Sequence, residues 1–186
     1  MSVLFCKMGG ILGVFSDWIY GNQEASILIL GLDASGKTTI MNRLRYGDNM
    51  HTVPTIGFNC EHIQYGSLHF IGWDIGGQDK IRRFWHNYFE NADAVVFVID
   101  SSDKGRFQEV KDELVKLTEH SFLKNCVFLI FANKQDLPGA VSTRELSNIL
   151  DLHRIMRHTI GWKVCESTAT TGTGIDDGFA WLASHV

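Results

Sequence analysis

The chain has 186 residues, 45% of them apolar, and a formal net charge of −4. That length allows one domain with a full core, and the acidic balance argues against broad nucleic-acid binding, which needs a basic face. No apolar run reaches the roughly 18 residues of a membrane span, and residues 1–15 lack the features of a secretory signal. Cys6, Cys60, Cys126 and Cys165 form no CxxC pair. Cys126 and Cys165 fall near predicted strands and read as buried thiols, which suits a reducing, cytoplasmic setting.

The first predicted element is a short helix, Gly9 to Tyr20. Ile11, Leu12, Phe15, Trp18 and Ile19 share one face, with Val14 at its edge, and Gly13, Ser16, Asp17 and Tyr20 take the other. Such a face packs on its own domain or lies in a membrane interface. The domain division follows: residues 1–20 as an N-terminal extension and amphipathic helix, and 21–186 as the ligand-binding domain.

Ile27 to Leu30 reads as a buried strand and Thr39 to Arg45 as a helix with Ile40 and Leu44 on one face. Between them stands Gly31-Leu32-Asp33-Ala34-Ser35-Gly36-Lys37-Thr38, followed by Thr39. Strand, glycine loop and helix are the setting that makes a GxxxxGK(S/T) match a phosphate-binding loop. The glycines allow backbone angles that a Cβ forbids, so several N–H groups and the helix N-terminus can face a phosphate. Lys37 supplies positive charge for the outer phosphates, and the Thr38 hydroxyl is placed for Mg²⁺.

His51 to Gly57, with Pro54 and Thr55, reads as a loop. Phe58 to Gln64 and Leu68 to Trp73 form a hairpin around Tyr65-Gly66-Ser67. The second strand runs into Asp74-Ile75-Gly76-Gly77-Gln78. An acid at a strand end followed by paired glycines suits a second phosphate-facing loop. Asp74 would hold Mg²⁺ through water, the Gly77 N–H would meet a γ-phosphate, and Gln78 would orient an attacking water.

Ala94 to Asp100 is a continuous apolar run, as in a central parallel strand. Phe107, Val110, Leu114 and Leu117 give a helical stripe over Lys104 to Glu119. Val127 to Ala132 is a further buried strand and ends in Asn133-Lys134-Gln135-Asp136. Guanine needs an acceptor pair for its N1–H and 2-amino group, which one carboxylate, Asp136, provides; Asn133 and Lys134 would support base and loop. Ser142 with Glu145 forms a capping box before the next helix. Trp162 to Glu166 is the last strand. Thr168, Ala169 and Thr170 follow, where a backbone amide would touch guanine O6. Ile175, Phe179, Leu182 and Val186 mark a final helix. Motifs at the carboxyl ends of alternating strands predict an α/β fold of the P-loop NTPase kind: a mostly parallel six-stranded sheet with helices on both faces and one antiparallel hairpin strand.

GLDASGKTT, PTIGFN, WDIGGQDKIRRFW, NKQDLPGA and the TAT before Gly172 resemble the Arf and Arf-like small GTPases, from about Gly9 to Val186. Met8 to Gly10 and Thr171 to Asp176 resemble the Golgi Arf-like subgroup. The resemblance implies GTP and GDP as ligands with Mg²⁺, and Thr55 joining Thr38 on the metal. It implies Phe58, Trp73 and Tyr88 as an aromatic effector patch, where a reading from the residues alone makes them core. It also implies an exchange factor, a GTPase-activating protein, a monomer, and reversible residence on Golgi or other endomembranes through the N-terminal helix, serving vesicle trafficking.

The chain departs from the family by beginning Met1-Ser2 and not Met-Gly. Either translation starts at Met8 and exposes Gly9, or the preceding residues replace a myristoyl group, with Cys6 as a palmitate site or a plain thiol. Arg83 stands where Arf has proline. Arg82 and Arg83 read equally well as solvated charges, and no arginine reads as a catalytic finger within the chain. The expected activity is slow GTP hydrolysis resting on Lys37 and Gln78, stimulated by a partner. The alternatives are a GTP-binding module with negligible hydrolysis and an ATP-using kinase, which Asn133-Lys134-Gln135-Asp136 argues against.

Overall fold

The computed structural model describes residues 25–47, 58–65, 68–75 and 77–186. The predicted helix Gly9 to Tyr20, the loop containing Thr55, the hairpin turn and Gly76 lie outside them, and so does any test of a boundary at residue 20.

The described strands are β1 (Ala25–Leu30), β2 (Phe58–Tyr65), β3 (Leu68–Ile75), β4 (Ala94–Asp100), β5 (Val127–Asn133) and β6 (Gly161–Glu166). They form one six-stranded sheet in the order β2-β3-β1-β4-β5-β6. Every pairing is parallel except that of β2 with β3. The helices are α1 (Lys37–Tyr46), the single turn α2 (Asp79–Arg82), α3 (Phe107–Glu119), α4 (Thr143–Leu150), the single turn α5 (Leu152–Ile155) and α6 (Ile175–Ala183).

The continuous apolar runs are explained by the two faces of the sheet. Side chains alternate along a strand, so Leu28, Leu30, Val95, Phe97, Phe128 and Ile130 enter one core while Ile27, Ile29, Val96, Val98, Leu129 and Phe131 enter the other. The first core is closed by Val110, Leu114 and Leu117 of α3 and Leu146 and Leu150 of α4. The second is closed by Ile40 and Met41 of α1 and by Ile175, Phe179 and Leu182 of α6. Phe97, Phe128 and Phe131 are fully buried, each contributing on the order of 1.5–3 kcal/mol of burial free energy. Cys126 and Cys165 are buried as expected, and Cys60 is exposed.

The predicted stripe over Lys104 to Glu119 begins as a 3₁₀ turn, Lys104–Arg106, before α3. The Ser142–Glu145 capping box forms as read. The last helix ends sooner than its stripe: α6 stops at Ala183, and Val186 is 44% exposed. The Ser184 hydroxyl donates to the Trp181 carbonyl at 2.7 Å, and the His185 ring lies 2.8 Å from the same oxygen. Side chains that bond the backbone of the last turn compete with helix continuation.

Candidate nucleotide-binding site

The carboxyl ends of β1, β3, β4 and β5 share one edge of the sheet, where an open α/β sheet takes its ligand. The loop from β1 to α1 passes through positive φ at Gly31 (143°), Ala34 (60°) and Gly36 (102°). A non-glycine residue in the left-handed region is uncommon and marks a constrained turn. A Cβ on Gly36 would lie 2.3 Å from Asn133 Nδ2, so the loop's backbone presses against the β5 motif.

Lys37 opens α1 and is buried, and its Nζ donates to the Leu32 carbonyl at 2.8 Å. Burial pushes its pKa down to about 8 against the pull of Asp74 and Asp33. Thr38 Oγ1 donates to Asp74 Oδ2 at 2.6 Å. Asp74 reaches that point because β3 pairs with β1 in a register that sets it beside Ile29. Gly77 lies against the same loop: the Asp33 N–H donates to the Gly77 carbonyl at 3.2 Å. A Cβ on Gly77 would fall 2.4 Å from Asp33 N, Gly31 O and Leu32 C.

Asn133, at the end of β5, joins the remaining loops. Its Nδ2 donates to the Ser35 carbonyl at 2.8 Å, while its Oδ1 accepts from the Ala169 N–H at 3.0 Å and from Ser167 Oγ at 3.2 Å. Lys134 has φ of 64° and pairs with Asp100 at 2.6 Å. Burial raises the Asp100 pKa, but Lys134 and Ser102 outweigh it and hold the carboxyl below the ordinary range. Asp136 is exposed in the turn closed by Leu137 N–H on the Lys134 carbonyl. The Thr168 N–H donates to Thr173 at 3.0 Å. The amides of both Thr168 and Ala169 therefore already have protein acceptors, and either would have to share its hydrogen to meet guanine O6.

The phosphate loop is thus the common neighbour of the other motifs: Asp74 through Thr38, Gly77 through Asp33 and Asn133 through Ser35. The residues suit a nucleotide's phosphates. Ser35 Oγ is buried with no hydrogen-bond partner among the described residues, and Lys37 is a buried cation that a polyanion would balance. Among the described residues no group of three or more His, Cys, Asp or Glu could hold a metal. A hydroxyl beside one carboxylate suits Mg²⁺, which keeps waters and takes further oxygens from phosphate.

Gln78 is exposed and precedes α2 as its N-cap. Arg82 is not a solvated charge. Its side chain is 6% exposed and pairs with Asp79, Glu109 and Glu113, whereas Arg83 is exposed. The Trp73 and Tyr88 rings are half-buried and meet at 5.4 Å between centroids. Phe58 pairs with Ile75 in the β2–β3 register.

Sequence reasoning missed Arg43. From α1 its Nε donates to the Ala169 carbonyl at 2.9 Å, and its Nη2 donates to the Thr170 carbonyl. It also missed Ser167, whose hydroxyl serves Asn133, and Arg106, which holds Asp33. Serine just after a strand was the only available signal among these.

The sequence profile of the ADP-ribosylation factor (Arf) family matches residues 11–186. This chain belongs to the Arf family. Its fold is that of a small GTPase, and the order of its loops is the one the Arf motifs imply. Among solved structures it is similar to the Arl6 (BBS3) small GTPase from Trypanosoma brucei, with bound nucleotide analogue GppNp. The two are 37% identical with a TM-score of 0.82, over 87% of this chain and 96% of the other. An Arf-family small GTPase is a GTP-binding switch. Among the described residues no helix is long and apolar enough to cross a membrane.

Proposed function

We propose that this Arf-family chain binds GTP and GDP with Mg²⁺, hydrolyses GTP slowly, and recruits effectors to endomembranes in vesicle trafficking. The observation that carries the reading is the Thr38–Asp74 contact at 2.6 Å, which joins two separate motifs on the phosphate loop. Gly31 to Gly36 cradle the phosphates with backbone N–H groups, and the Ser35 hydroxyl and Thr39 add donors. Lys37 neutralises the outer phosphates. Asp136 accepts from the guanine edge, Asn133 and Lys134 brace it, and the Thr168–Ala169 backbone faces O6. Thr38 and Thr55 would hold the metal, with Asp74 behind a water. Mg²⁺, when bound, neutralises charge on the β- and γ-phosphate oxygens.

Gln78 orients the attacking water, and the Gly77 N–H meets the γ-phosphate once its loop turns from the P-loop. Catalysis is then positioning and charge stabilisation. An arginine from an activating protein would add about 10³–10⁵ in rate. Trp73 and Tyr88, whose rings meet, would serve as the aromatic surface for effectors, and the resemblance adds Phe58 to that role. The predicted amphipathic segment Gly9 to Tyr20 would supply the membrane contact, and deleting residues 1–20 should abolish GTP-dependent binding to liposomes. Golgi residence rests on Met8 to Gly10 and Thr171 to Asp176 alone.

The deciding experiment is competition of ATP, GTP and XTP against labelled GDP with Asp136→Asn. The wild type should prefer GTP, and the variant should lose that preference, because a carboxamide presents a donor where guanine needs an acceptor. Unchanged selectivity would refute the base-recognition role. Single-turnover hydrolysis with and without an activating protein separates a switch from a module that only holds GTP.

A further inference from the structure

A chain of charged side chains runs from the phosphate loop to α2. Arg106 Nη2 donates to Asp33 Oδ1 at 2.6 Å and its Nη1 to the Asp33 carbonyl at 3.3 Å. The Nε of the same guanidinium donates to Glu109 Oε2 at 2.9 Å. The other carboxylate oxygen, Glu109 Oε1, accepts from Arg82 Nη2 at 2.5 Å. Arg82 also reaches Asp79 Oδ1 at 3.2 Å and Glu113 Oε1 at 3.4 Å. The hydrogen bonds from Arg106 hold both the Asp33 and Glu109 carboxyls below the usual carboxylate range, with Arg82 adding to the effect at Glu109.

The arrangement is specific. Glu109 divides its two oxygens between two arginines. One comes from the segment that begins with Gln78, and the other grips the loop that begins at Gly31. Arg82 is nearly fully buried and its Nε has no partner among the described residues, so its hold depends on the carboxylates at its Nη atoms. Removing one partner of such a buried charge costs far more than an exposed pair is worth. α2 is a single turn, so a shift at Arg82 carries Gln78 with it. A displacement of about 1 Å at a reacting group can cost about 10² in rate.

We propose that Glu109 is a positioning residue that couples α2 to the phosphate loop, setting Gln78 against the site through Arg82 and Asp33 through Arg106. This rests on the reading of Gln78 as the residue that orients water. Arg82 and Arg106 each donate to a different oxygen of Glu109, and their effects meet there.

The test is a double-mutant cycle of Arg82→Gln and Arg106→Gln in the full chain, read by single-turnover hydrolysis of preloaded GTP. Nucleotide dissociation and thermal unfolding are measured alongside. Each single change should slow hydrolysis about fivefold, and the double should slow it little further, as contacting groups in one network behave. Glu109→Gln keeps both arginines and the side chain's size, and should match the double variant. In its background the Arg82 and Arg106 changes should add nothing. Losses that simply multiply would overturn the coupling, and so would a lower melting temperature with unchanged hydrolysis. A wild type that fails to bind GTP sinks the functional reading instead, whereas normal wild-type turnover with independent mutants sinks this inference alone.

Discussion

Asn133 Nδ2 and the Ser35 carbonyl, 98 positions apart in the chain, lie 2.8 Å apart in a buried hydrogen bond. The same carboxamide accepts from Ala169 and Ser167, so one side chain fastens the phosphate loop to both base-side loops. Asn133→Ala should therefore accelerate release of GDP and GTP alike. Leaving buried partners unmade costs about 1–3 kcal/mol, which corresponds to about five- to 150-fold in dissociation rate. Fluorescent-nucleotide chase measures it. A faster release of only one nucleotide would place Asn133 at the phosphates and not at the shared brace.

Lys37 gives the site a pH dependence. Burial holds its pKa near 8 in the ligand-free protein, while an unfolded lysine titrates near 10.4. Between these values the unfolded chain binds more protons, so stability of the empty protein rises with pH through that window. A bound polyphosphate favours the charged form, so binding in the same window takes up a proton. Affinity should fall as pH rises above about 8, by up to tenfold per unit. Titration calorimetry in buffers of different ionisation enthalpy should detect the uptake. A flat profile would remove Lys37 from the phosphates.

Gly77 cannot carry a side chain where it sits. Its Cβ would meet three backbone atoms of the phosphate loop at 2.4 Å, and none is the movable end of a side chain. Gly77→Ala should lower the melting temperature by several degrees, as a clash of about 1–3 kcal/mol would. It should slow hydrolysis at least about tenfold, since the Gln78 segment is displaced. Guanine selectivity should survive, because Asn133 ends β5 and Asp136 lies in the turn that follows it, away from the Gly77 segment. Loss of selectivity in a competition assay would contradict that separation.

Arg43→Ala frees the carbonyls of Ala169 and Thr170. Bonds to a charged donor contribute roughly 1.5–3 kcal/mol each, and nucleotide release should quicken by at least about tenfold. Arg43→Lys should recover only part of the effect, because a point charge does not reproduce the guanidinium fork. Equal release rates in Arg43→Lys and wild type would show that charge alone suffices.

The strands and three nucleotide motifs were legible because each announces itself locally. A buried parallel strand is an uninterrupted apolar run, and the loops carry glycines or acids at fixed spacing after such runs. Thr38 and Asp74 could be paired in advance from chemistry alone. Arg82 could not, because its partners Glu109 and Glu113 are distant in sequence and lie on a helix whose charges resemble any solvated face. Arg43 and Arg106 were hidden for the same reason. Val186 misled because a stripe reports which face is apolar and not where side chains begin to capture the backbone.

The strand order divides the sheet's labour. β2, β3 and β1 carry the Gln78 segment and the phosphate loop, whereas β5 and β6 carry the residues around Asn133, Asp136 and Ala169. Within the sheet β4 stands between the two groups, and the Asn133–Ser35 bond ties them above it. On the proposed reading of the site, one flank would rearrange when the terminal phosphate leaves while the other keeps its grip on the purine. On the proposed function, the molecule would report hydrolysis without first discarding its product, and resetting it would become a separate event that another protein can time.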